Sequence, residues 1–194
     1  MKGTLKKFFY LALILALATA SAPRVSAATI NTATIDIPSS QWEMIFLAVL
    51  ETLEIDKPDK PVFTVKEYPT QSGLPGFEHR LDINKCLSVA YYDDGKDKFN
   101  SAVLTIKLDE VGGDTDPVWY AVIATTLAGQ RTVKTEHVLE LVNVICPPFN
   151  DVLLGKERLN GMQTGTLYGV GYGIELNDTE RFIRFFTNVQ LTKN

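Results

Sequence analysis

Two runs of alternating polarity, "RLDINKCLSVAYY" and "FNSAVLTIKL", flank the turn sequence "DDGKDK", and no other feature restricts the fold as tightly. Leu81, Ile83, Leu87, Val89 and Tyr91 alternate with Asp82, Asn84, Cys86, Ser88 and Ala90, and Ala102, Leu104, Ile106 and Leu108 keep phase on the return. A period of two marks a half-buried strand, and Asp94-Gly95 supplies turn chemistry, so the segment predicts a hairpin. "VFTVKEY" is a further strand, followed by the loop "PTQSGLPGFE". A second hairpin is predicted from "MQTGTLYGVGYGIEL" and "RFIRFFTNVQL", with its turn near Asn177 and Asp178.

Helical spacing appears between these strands. In "SSQWEMIFLAVLETLEI", Trp42, Ile45, Phe46, Val49, Leu50 and Leu53 share one face, behind a Ser40/Glu43 capping-box signature. "DPVWYAVIATTLAG" has Asp116 as cap, Pro117 in the first turn and Gly129 at the end. "TEHVLELVNVIC" predicts a third helix, stopped by Pro147 and Pro148. The expectation is an α+β fold: an antiparallel sheet of about five strands with about three helices packed mainly on one face.

Gly169, Gly171 and Gly173 sit at alternate positions and would share one face of a strand. A bare face admits another element close to the backbone, and packing explains it more cheaply than a ligand does. Cys86, Ser88 and Ala90 form a comparably small face. If the two small faces lie on one side of the sheet, the helices are expected to dock there, bringing Cys146 within reach of Cys86.

The N-terminus has the layout of a secretory signal peptide: Lys2, Lys6 and Lys7, an apolar run from Phe8 to about Ala18, then small residues ending in Val25-Ser26-Ala27. That run is shorter than the roughly 20 residues a membrane span needs. The expected organisation is therefore a signal peptide over 1–27 and a single α+β domain over 28–194, exported to the periplasm or the extracellular space, with no stable membrane span after cleavage. Residues 1–27 carry four basic and no acidic side chains, so removing them takes the net charge from −4 to −8. So acidic a domain lacks the basic footprint of a nucleic-acid binder. In an exported chain the two cysteines, Cys86 and Cys146, predict a disulfide. With 59 residues between its ends, it would contribute about 4 kcal/mol in the chain-entropy model.

Signatures of chemistry are thin. The mature chain has no Gly-x-Ser-x-Gly elbow and no His-Glu-x-x-His motif. His137 and Glu140 are two ligands at most, and the acids at Asp93, Asp94 and Asp97 lack calcium-loop spacing. No catalytic residue, metal site or cofactor is expected. Tyr68, Leu74, Phe77, His79 and Arg80, set among Pro and Gly, form the candidate binding residues, because long loops with aromatic tips often make contacts. Arg181, Phe182, Arg184 and Phe186 on the last strand are a second candidate surface, explained more cheaply by core packing and a helix-covered sheet than by a partner. The expected function is a non-enzymatic binding or accessory domain for a protein, peptide or small ligand. The alternative is a small secreted hydrolase using carboxylates or His79.

Overall fold

In the computed structural model, which describes residues 37–69, 75–112, 115–129, 162–167, 170–177 and 179–187, the alternating runs form one antiparallel sheet. Helix α1 (Ser39–Thr52) precedes strands β1 (Thr64–Pro69), β2 (Pro75–Asp82), β3 (Leu87–Asp93) and β4 (Phe99–Lys107). A 3-10 turn at Leu108–Glu110 and helix α2 (Asp116–Ala128) follow, then β5 (Met162–Leu167), β6 (Val170–Asn177) and β7 (Phe182–Thr187). The strand order is β1-β2-β3-β4-β7-β6-β5, so two meanders meet where β4 pairs with β7. The fold is α+β. The expected signal peptide, the third helix, Leu74, Cys146, His137 and Glu140 lie outside the described residues.

Among the described residues the sheet has seven strands where about five were expected, because two of the alternating runs each contain a reversal. Asn84 makes the first one: its Oδ1 accepts the backbone N–H groups of Cys86 and Leu87, both at 2.9 Å. Ile83 N–H then donates to Leu87 O at 2.9 Å. Ile83 and Leu87 are four apart, so the turn preserves parity, and Leu81, Ile83, Leu87, Val89 and Tyr91 are all buried. A strict period of two runs straight through a turn and hides it. The second reversal separates Leu167 from Val170, which pair directly across it.

Helix α1 forms as its apolar face predicts, with Trp42, Ile45, Phe46, Val49, Leu50 and Leu53 all buried. Trp42 stacks on Phe46 within the helix, at 4.9 Å between centroids, and meets Tyr91 at 5.0 Å and Phe99 at 5.4 Å on the sheet. Helix α2 lies against α1, β4 and β7. It is buried at every position from Ala121 to Ala128, so its hydroxyls need partners inside the helix. Thr125 and Thr126 donate to Ala121 O and Val122 O at 2.8 Å.

The predicted capping box does not form. Glu43 turns to the sheet and accepts the Tyr91 hydroxyl at 2.8 Å, leaving Ser40 to another acid. Asp97, from the turn between β3 and β4, takes the role: Oδ1 accepts Ser40 N–H and Oδ2 accepts Ser40 Oγ–H, both at 2.8 Å. The helix start is further tied down by Ser39 N–H donating to Asp97 O at 3.0 Å and Phe99 N–H to Ile37 O at 3.1 Å. Asp97→Ala is expected to cost about 1–2 kcal/mol in urea unfolding, the loss typical of a removed cap. Asp97→Asn, which keeps an acceptor, should cost less.

The small faces of β3 and β6 do share one side of the sheet, through the row Ala90, Val103, Phe186 and Gly173. Neither described helix docks there, contrary to expectation. Both pack on the opposite side, where Tyr91, Leu104, Ile174 and Phe185 make the core. Large side chains on that face bury more apolar surface than a bare one does, and that contact wins. Gly171 and Gly173 are nonetheless buried, and Gly173 lies directly opposite Phe186. Cys86 carries a free thiol, with Sγ 3.7 Å from Lys107 O, so the predicted bridge is not formed in this structure. Burial is the main influence that pushes this thiol's pKa up.

Candidate functional site

The candidate binding residues fall on a hairpin, not a long loop. Strand β2 begins at Pro75, so Phe77, His79 and Arg80 are strand residues, and Tyr68 closes β1 one residue before its end. Pairing runs from Thr64 with Arg80 to Pro69 with Pro75. Alternation then divides the set: Phe77 and His79 face the helices, while Tyr68 and Arg80 face the other side.

On the helix side, His79 lies opposite Tyr91, and the two rings stack 4.4 Å apart and 5° from parallel. His79 Nε2 stands 2.9 Å from Asp93 Oδ2. This is a close approach and not a formed hydrogen bond. Asp93 is only 6% exposed, and its Oδ1 accepts Gly95 N–H at 2.9 Å. Tyr91 links the imidazole to Glu43, and Phe63 meets the edge of Tyr91 at 5.2 Å. Burial first, then the Glu43 hydrogen bond and carboxylate, drives the Tyr91 hydroxyl well above its ordinary pKa. The cluster thus holds an imidazole, two carboxylates and a phenol at the sheet's β1–β2 end.

Phe77 serves the adjoining turn. Gly95 has φ +73°, and a Cβ built there would stand 2.5 Å from Phe77 Cε2. Gly95→Ala is expected to destabilise the fold by about 1–3 kcal/mol through left-handed strain and the clash together. Adding Phe77→Ala to that variant should relieve the clash and leave the strain. A thermal-denaturation cycle of the four proteins separates the two contributions.

On the opposite side, Tyr68 meets Tyr92 edge-on, with centroids 5.7 Å apart and planes at 88°. Tyr92 donates its hydroxyl to Glu78 Oε2 at 3.1 Å. Burial and the Glu78 carboxylate push the Tyr92 pKa up to about 12. The Tyr68 pKa rises too, by burial first and then the charges of Asp93 and Glu78. Arg80 is exposed and held 3.3 Å from Asp82. The second candidate surface, on β7, lies on this same side. There Arg184 sits 4.4 Å above the Phe182 ring and 3.7 Å from Glu175.

Strand register brings in Glu78, Tyr91, Tyr92 and Asp93, and helix α1 adds Glu43, none of which the sequence singled out as binding residues. Their one signal was parity: a strand beginning at Pro75 puts His79 and Tyr91 on a common face. Asp93, Asp94 and Asp97 are each engaged within or beside their turn, where Asp94 Oδ1 accepts Lys96 N–H at 2.9 Å. Among the described residues no three His, Cys, Asp or Glu side chains are grouped so as to hold a metal ion. No family model, curated protein or solved structure matches the chain.

Proposed function

We propose that the protein is an exported binding or accessory domain, not an enzyme, that engages a protein, peptide or small ligand through the β1–β2 hairpin. The observation that carries this reading is the exposed apolar edge. Among the described residues β1 ends the strand order, and Val65 within it is 59% exposed, with Val62 just before it 72% exposed. An edge strand presents unpaired backbone groups, and a partner strand can use them while side chains supply selectivity. Lys66, Glu67 and Pro69 are residues of the kind that discourage indiscriminate pairing. Action in the periplasm or outside the cell is supported by the signal-peptide layout of residues 1–27. Among the described residues no helix is long and apolar enough to cross a membrane.

The test is native mass analysis of the protein isolated gently from its host's envelope and medium, beside Val65→Lys. An exposed substitution like this one should leave stability within about 0.5 kcal/mol. Added mass on the wild type that Val65→Lys loses supports the edge as the surface. A clean monomer in both, or equal added mass in both, overturns it.

A second reading, a small secreted hydrolase, draws on the 2.9 Å approach of His79 to a buried carboxylate. A carboxylate beside an imidazole is one part of an acid–base relay, and a nucleophile or activated water must complete it. Under that reading His79→Gln abolishes turnover on a substrate panel while the melting temperature holds. Under the binding reading there is no turnover to lose.

A further inference from the structure

The side of the hairpin facing away from the helices carries two partly exposed tyrosines and a partly exposed carboxylate. Tyr68 stands at the end of β1 opposite Gly76, which has no side chain to block the way, and its ring reaches across β2 to Tyr92 on β3. The two aromatic planes meet at 88° and make two walls of a corner. Glu78, on the strand between them and directly opposite Tyr92, adds a carboxylate. We propose that Tyr68, Tyr92 and Glu78 form a receptor corner for an organic ammonium group, either a lysine side chain of a partner polypeptide or a small quaternary ammonium compound.

The chemistry favours a cation over other ligands. Aromatic faces present negative charge to a cation, and a carboxylate close by strengthens the attraction where water is partly excluded. Burial first, and after it the Glu78 carboxylate among other charges, raises the Tyr68 and Tyr92 pKa values. Three cations lie near. Arg80, two residues along the same face of β2 from Glu78, is held 3.3 Å from Asp82. Lys66 is opposite Glu78 in register, yet among the described residues no ion pair joins them. Arg184, which Tyr92 feels, is held over Phe182 and toward Glu175. The mature chain's charge of −8, as read from the sequence, attracts cationic partners generally.

This inference deepens the binding reading and rests on it. Its test is NMR titration of the mature protein with n-butylammonium, tetramethylammonium and tetralysine at fixed ionic strength, read at the tyrosine ring protons. Saturable shifts at Tyr68 and Tyr92 are expected, weakened about tenfold in Glu78→Gln and about as much in Tyr68→Leu. Glu78→Gln keeps an acceptor for the Tyr92 hydroxyl, so its fold should survive. Tighter binding of tetralysine than of butylammonium points to a lysine side chain, and tighter binding of tetramethylammonium points to a small quaternary ligand. No saturable shift, or equal affinity in wild type and both variants, overturns the corner. Native mass analysis separates the two ideas. A host partner retained by Tyr68→Leu sinks the corner and spares the binding reading, whereas ammonium binding by a protein that is a clean monomer in its host does the reverse.

Discussion

Trp42→Ala is expected to cost about 3–5 kcal/mol, a large share of the 5–15 kcal/mol that holds a typical domain together. Trp42 is 0% exposed and touches three aromatic rings, so its removal empties the junction between α1 and the sheet. Deleting it also frees Tyr91, Phe46 and Phe99 to move, and neighbours that cannot fully collapse leave a cavity. Among the described residues its buried Nε1 has no acceptor, which is an unusual liability for an indole so placed. Trp42→Phe keeps a ring in the stack and removes the unsatisfied donor, so it should cost much less than alanine does. Urea unfolding of the three proteins measures both differences. If phenylalanine cost as much as alanine, ring stacking would not be what secures the helix.

How far the sequence forecast this arrangement depended on whether periodicity alone could carry the answer. It could for α1, where all six apolar positions on the predicted face are buried. It also identified the inward residues of β3 and β4, because alternation survives whatever the strands do beyond their ends. Turns that preserve parity were invisible, as at Asn84, where Ile83 and Leu87 stay in phase through a reversal. The start of β2 was hidden by Pro75 and Gly76, residues that discourage a strand in general but are tolerated here at its first positions. The candidate site suffered most. Tyr68 and Arg80 were grouped with Phe77 and His79, yet the register sends them to opposite sides. Partners such as Asp93 and Glu78 depend on strand pairing, which is non-local information that spacing within one segment does not contain. Glu43 followed the same logic: its local partner Ser40 lost to Tyr91, 48 residues away in sequence.

Above pH 10 the fold is expected to weaken faster than a variant lacking two phenols, Tyr91→Phe/Tyr92→Phe. Both hydroxyls donate to carboxylates, Tyr91 to Glu43 and Tyr92 to Glu78, and both are at least partly buried. Burial first penalises the phenolates, and ionisation would also set each against a carboxylate, so the native state holds these protons more tightly than the unfolded chain does. A raised folded pKa contributes stability that is fully present below the unfolded value of about 10 and is lost as pH climbs to the folded value. For Tyr92 that window closes near pH 12, and for Tyr91 it extends higher. With both groups ionised only in the unfolded chain, the loss approaches, at most, about 2–3 kcal/mol per pH unit. Lysines titrate in the same range, so the informative quantity is the difference in slope between wild type and variant. The variant should start less stable, because Glu43 and Glu78 lose a donor, and then decline more gently from pH 10 upward. Urea midpoints at closely spaced pH values measure this, and parallel curves would mean that the tyrosine–carboxylate bonds do not set the alkaline limit.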